Sequence, residues 1–101
     1  MAAKGYWIAQ VDVRDPEPYR EYMAANAVAF AKYRGRFLVR GGPAEHVEGS
    51  WRSRVVVIEF PDYATALACY RSPEYAAALA IRERHSTGDV IVVEGYDGPQ
   101  P

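Results

Sequence analysis

From Gly5 to Val13 the odd positions Trp7, Ala9, Val11 and Val13 are all apolar, while the even ones pass from Tyr6 and Ile8 to Gln10 and Asp12. Aromatic and β-branched residues in this alternation predict a strand with one buried face and one partly buried face. The period then changes. Asp15-Pro16-Glu17 reads as a helix start: Asp15 can accept from free backbone N–H groups, Pro16 suits the first helical position, and Glu17 favours the positive end of the dipole. Tyr19, Tyr22, Met23, Asn26, Phe30 and Tyr33 recur at spacings of three and four, one helical stripe in which Asn26 is the polar member. Lys32 and Arg34 complement the C-terminal end, and Gly35 is expected to stop the helix.

The middle of the chain predicts a β-hairpin. Phe37 and Val39 are expected on one face of its first arm, with Arg36, Leu38 and Arg40 on the other, and Gly41-Gly42-Pro43 ends the arm. The tip, from Ala44 to Ser50, is polar and includes His46. Val55 to Ile58 is an unbroken apolar run, the pattern of a strand buried on both faces, with Glu59 near its end. Asp62 is a candidate cap for a helix over Ala64 to Arg71. Ser72-Pro73 repeats the start signal and predicts a break before a second helix. Tyr75, Ala78, Leu79 and Arg82 form that helix's stripe, and Gly88 is expected to close it. A last strand covers Asp89 to Gly95, and the Gly/Pro-rich segment from Tyr96 to Pro101 reads as a loose tail.

The order β-α-β-β-α-β predicts an α+β, ferredoxin-like domain over residues 1–96, followed by the tail 97–101: a four-stranded antiparallel sheet with its helices on one face. The other sheet face is left with large apolar groups from three strands. A patch of that kind marks an interface, and the simplest solution is a homodimer that packs sheet against sheet, a dimeric α/β barrel.

Composition narrows the partners. The 101 residues carry 12 basic and 13 acidic side chains, a net charge of −1 that calls for neither nucleic acid nor an anionic membrane. No apolar run approaches the roughly 20 residues of a membrane helix, and the start shows no signal peptide. The single Cys69 cannot form an internal disulfide, which fits a reducing cytoplasm.

Five blocks carry a resemblance: Lys4-Gly5-Tyr6-Trp7-Ile8-Ala9, Lys32 through Gly42, Val57-Ile58-Glu59-Phe60-Pro61, Tyr70-Arg71-Ser72-Pro73-Glu74-Tyr75 and Val93-Glu94-Gly95. Their order resembles the small bacterial family known as domain of unknown function 1330, over nearly the whole chain. The resemblance implies the dimeric α/β-barrel superfamily, two ferredoxin-like protomers with facing sheets. It implies no activity, since the superfamily includes cofactor-free monooxygenases, small isomerases, dehalogenases, haem enzymes and ligand-sensing modules.

The candidate chemistry is sparse. His46 and His85 are the only histidines. His46 reads as a solvated loop residue, and His85 as a helix-end cation that can border a pocket. Neither they nor Cys69 show metal-ligand spacing, and no phosphate loop is present, so neither a metal nor a cofactor is expected. Arg40 can hold a carboxylate, pair with an acidic group of a partner chain, or simply edge into solvent. Glu59 can act as a base if burial raises its pKa, or sit in an ion pair or interface hydrogen bond. Asn26 faces the sheet between Tyr22 and Phe30. With Tyr70, Tyr75 and Trp7 or Trp51 it can line a pocket between sheet and helices, the usual ligand location in the superfamily, or simply pack in the core. The expectation is a dimeric protein binding a small organic molecule in that pocket. The alternative is a cofactor-free monooxygenase- or isomerase-like enzyme in which Arg40 orients an anion and His85 or Glu59 moves a proton.

Overall fold

A computed structural model describes residues 3–101; Met1 and Ala2, with which the expected domain begins, lie outside the described residues. The elements follow the expected order: β1 (Gly5–Val13), α1 (Pro16–Lys32), β2 (Arg36–Arg40), β3 (Arg54–Phe60), α2 (Tyr63–Tyr70), α3 (Pro73–His85) and β4 (Ser86–Glu94). The strands form one sheet in the order β2-β3-β1-β4, antiparallel throughout. This is the ferredoxin-like arrangement, with the second helical segment divided at the Ser72-Pro73 break. The division has a capping explanation. Ser72 accepts from the Tyr75 N–H at 3.1 Å and donates to the Cys69 carbonyl at 2.7 Å, so one hydroxyl closes α2 and opens α3. Asp62 caps α2 as expected, accepting from the Thr65 N–H at 2.7 Å.

The odd positions of β1 do face the helices. Trp7, 2% exposed, is the hub of the core. Its ring meets Phe30, Tyr70 and Tyr75 edge-on at centroid distances of 5.2, 5.4 and 4.8 Å. Its indole N–H donates to the Ala66 carbonyl at 2.8 Å, which ties β1 to α2 and satisfies the one polar atom of the side chain.

Cys69 is buried in the same layer. Burial, assisted by Glu74, pushes its thiol up to about 12. A thiol in that state carries almost no thiolate near neutrality. We expect no reaction with a thiol-exchange reagent at pH 8 in the folded protein and one equivalent in denaturant. Rapid labelling of the native protein would show that α2 does not cover this residue.

Four local expectations are corrected. Asp15 makes no side-chain cap hydrogen bond; its carboxylate instead lies 3.1 Å from His85 Nδ1. The turn after α1 places Arg34, not Gly35, in the left-handed region, at φ 60°. Gly35 N–H returns to the Phe30 carbonyl at 2.8 Å and Arg34 N–H to the Ala31 carbonyl at 3.4 Å, a Schellman closure. Gly35 is demanded by packing, because a Cβ there would lie 2.9 Å from the Phe60 ring. Gly88 does not close a helix: α3 ends at His85 and Gly88 lies within β4. Finally, the register of β2 against β3 shifts between Phe37 and Val39. The extra residue, Leu38, is a β-bulge, which breaks the alternation and turns Arg40 onto the same side as Phe37.

Candidate functional site

The aromatic core leaves a cavity between the sheet and the helices. Its floor is Ala9, Val11, Val56 and Ile58 of the sheet, and its walls include Trp7, Phe30 and Phe37. The space open to the centres of water-sized spheres is about 30 Å³, room for about two bound waters. Anything larger needs side-chain movement, and the unbranched Met23 and Arg40 on the lining can supply it.

The polar groups on this lining are unusual for a core. Asn26, 5% exposed, is delivered by the helical stripe of α1, and its Oδ1 has no hydrogen-bond partner among the described residues. Tyr22 and Tyr75, from α1 and α3, join hydroxyls at 2.8 Å. Burial and then the nearby Tyr22 push the Tyr75 hydroxyl above the ordinary tyrosine range, so it stays protonated. Burial likewise raises Tyr19, against an opposing pull from the Arg54 and Arg82 guanidiniums.

Those two arginines reach the cavity from opposite sides. Arg54 stands on β3 opposite Val11, and Val11 in turn lies opposite Gly88 of β4. Arg82 comes from the last turn of α3, and its Nη1 passes over Gly88, where a Cβ would lie 3.1 Å away. Arg82 is only 8% exposed. Among the described residues, the Nε atoms of Arg54 and Arg82 are both buried with no hydrogen-bond partner, and neither side chain enters an ion pair. No carboxylate lines the cavity. Arg40 completes the basic side: the bulge sets its guanidinium 4.1 Å over the Phe37 ring, exposed but on the lining.

The candidates from the sequence are therefore divided. Asn26, Arg40 and Tyr75 meet at the cavity. Tyr70 packs against Trp7 and Tyr75, behind the lining. Glu59 is on the other side of the sheet, where Tyr6 donates to it at 3.2 Å and Arg36 lies 3.9 Å away. His85 is held by Asp15, Trp51 is half exposed, and His46 is exposed on the hairpin tip. Arg54 and Arg82 are not among the candidates expected from the sequence. The available signal was Arg82 inside an otherwise apolar stripe, and Arg54 at the core-facing parity of β3.

Two further facts bear on chemistry. Among the described residues no group of three His, Cys, Asp or Glu side chains could hold a metal ion. No helix among them is long and apolar enough to cross a membrane.

The family model described as Domain of unknown function (DUF1330) matches residues 4–96. The chain belongs to this family. No curated protein matches the DUF1330 chain. Among solved structures it is similar to a protein of unknown function from Rhodopseudomonas palustris, at 17% identity and a TM-score of 0.73, covering 97% of this chain and 86% of that one. It is similar to SnoaB, a cofactor-independent oxygenase from Streptomyces nogalater, at 15% identity and a TM-score of 0.64, covering 96% and 97% of the two chains. A dimeric ferredoxin-like protein of unknown function from Thermobifida fusca matches at 20% identity and a TM-score of 0.60, covering 94% and 92%. At these identities the likeness establishes the ferredoxin-like fold of this DUF1330 protein and nothing of its chemistry.

Proposed function

We propose that this DUF1330 protein is a homodimer that binds a small organic molecule in the cavity between sheet and helices. The observation that carries the binding reading is Asn26. A buried amide oxygen without a partner costs about 1–3 kcal/mol, and chains rarely keep one without a use for it. Here it faces an aromatic cavity, where a bound molecule with an O–H or N–H donor would satisfy it.

The dimer reading rests on the other sheet face. Val39, Val57, Ile8 and Ile91 stand in one row, one aliphatic side chain from each strand. Ile91 is 58% exposed in the single chain. The expected two-sided burial of β3 is met on that face only if a second sheet covers it, and the Thermobifida fusca neighbour is dimeric.

The enzyme alternative draws on the fold it shares with SnoaB. The groups it needs to move a proton, His85 and Glu59, are held by Asp15 and Tyr6 away from the cavity. The buried tyrosine hydroxyls Tyr19 and Tyr75 are pushed toward their protonated forms. These serve better as hydrogen-bond donors than as bases, so binding is the reading the geometry favours.

A set of small aromatic fragments, neutral and anionic, screened by protein-observed NMR tests this. Binders should move the Trp7 indole N–H and the Asn26 side-chain amide resonances while Trp51 stays unchanged. If only Trp51 and other surface signals respond, the cavity is plain core and the binding reading is lost.

A further inference from the structure

We propose that the cavity is built for the carboxylate of a small organic acid, held between Arg54 and Arg82 with the apolar body of the acid against Trp7 and Phe30. The inference rests on the ligand-binding reading above and names the class of ligand.

The argument begins with an imbalance of charge. A buried guanidinium without a counter-ion is among the costlier arrangements a chain can keep. Here Arg82, 8% exposed, and the half-buried Arg54, whose Nε is enclosed, line one cavity, and each raises the cost of the other by like-charge repulsion. The end of α3 offsets part of this for Arg82, because a cation suits the last turn of a helix. It cannot serve Arg54, which stands on a strand, and it leaves both buried Nε–H donors unmet. Among the described residues every carboxylate that could neutralise them is elsewhere. Asp12 and Asp89 are taken by Arg52 on the opposite face of the sheet, and Glu74 is taken by Lys32 at 2.8 Å.

The backbone makes the arrangement possible. Arg54, Val11 and Gly88 form one row across three adjacent strands. Strands lie about 4.8 Å apart, so the ends of the row are separated by about 10 Å; the Arg54 guanidinium lies beside Gly41 at the β2 end and the Arg82 guanidinium over Gly88 at the β4 end, one on either side of the cavity. Glycine weakens a strand interior and needs a reason to be there. At position 88 the reason is the Arg82 guanidinium, which occupies the room a side chain would take.

The chemistry of the anion follows from the walls. A planar carboxylate takes two parallel N–H donors from a guanidinium. The aromatic lining asks for an apolar body rather than the hydration shell of inorganic phosphate. The Tyr19 hydroxyl, kept protonated by its burial, is a third donor beside the two arginines. The orphaned Asn26 Oδ1 faces the same space, so a hydroxyl or amino group on the acid would add to its binding.

Benzoate, benzamide and inorganic phosphate test the proposal on the full chain by NMR titration, with thermal melts in parallel. Benzoate should shift the Arg54 and Arg82 Nε–H and Trp7 indole signals, and bind at least about tenfold more tightly than benzamide. Phosphate should leave those signals in place. Arg82→Met should cut benzoate affinity at least about tenfold while the ligand-free protein melts no lower than wild type, because an uncompensated buried charge has been removed. If Arg82→Met does not fold, Arg54→Met carries the test with the same expected loss. Equal binding of benzoate and benzamide in the cavity, displacement of benzoate by phosphate, or unchanged benzoate affinity in the folded variants would overturn the carboxylate assignment and leave the small-molecule reading standing. If neither benzoate nor benzamide moves a cavity signal, the carboxylate assignment falls, and the fragment screen decides the small-molecule reading.

Discussion

Trp7→Ala should lower the free energy of unfolding by about 3–5 kcal/mol, the range for emptying an aromatic core position. The effect should fall at the high end for three reasons. The ring is 2% exposed, so nearly all of its surface is removed from water. It touches Phe30, Phe60, Tyr70 and Tyr75, and edge-on aromatic pairs add to the area buried. Its indole N–H donates to the Ala66 carbonyl, and the truncation removes this tie between β1 and α2. A domain of this size has about 5–15 kcal/mol in total, so the variant should melt well over about 10 °C lower. Trp7→Phe keeps most of the packing and should cost roughly half as much. Urea denaturation followed by circular dichroism gives both values. A loss below about 1 kcal/mol for Trp7→Ala would mean that the core is not centred on β1.

Val57→Asp should separate the dimer and leave the protomer folded. Val57 lies in the middle of the aliphatic row on the outer sheet face, between Val39 and Ile8. In the single chain this side chain is only partly buried, so a carboxylate there remains hydrated and the core behind it is untouched. In a sheet-on-sheet dimer the same carboxylate would be buried against aliphatic groups, at a cost of several kcal/mol per protomer. Light scattering coupled to size exclusion should give about twice the 11.3 kDa chain mass for the wild type and the single mass for the variant. A wild-type monomer at micromolar concentration would remove the interface outright. A variant that keeps the doubled mass would place the interface elsewhere on the molecule.

The regular frame of this protein was legible because its signals are local. Asp62 and Ser72 cap helices at the predicted positions, since capping depends on a hydroxyl or carboxylate three residues from an N–H. The stripe from Tyr19 to Phe30 is buried, since a helix that covers a sheet must turn one side to it. Asn26, the one polar residue of that stripe, lies on the cavity lining.

The failures share a cause of a different kind. By position Gly35 and Gly88 read as helix stops, because a glycine near a helix end is usually one. Gly35 is instead constrained by the Phe60 ring from a distant part of the chain, and Gly88 by the Arg82 guanidinium reaching over from the last turn of α3. Asp15 has the residue type of a cap, yet its carboxylate meets His85 from the far end of α3. By residue type Arg40 and Glu59 can serve one reaction, as anion holder and base. The sheet puts Glu59 on the outer face, and the bulge at Leu38 rotates Arg40 toward the cavity.

From the sequence alone came the number and order of the elements, the break before Pro73, the core-facing side of β1 and the family. Periodicity, capping and turn chemistry act over a few residues, and so they can be read from a few residues. Only the tertiary structure decided which polar groups share the cavity. Asn26, Arg54 and Arg82 lie on a helix, a strand and another helix, and each alone is an ordinary residue in an ordinary pattern. Cross-strand register and one bulge set which side each strand residue faces, and that register is fixed by long-range packing that no local stretch of chain records.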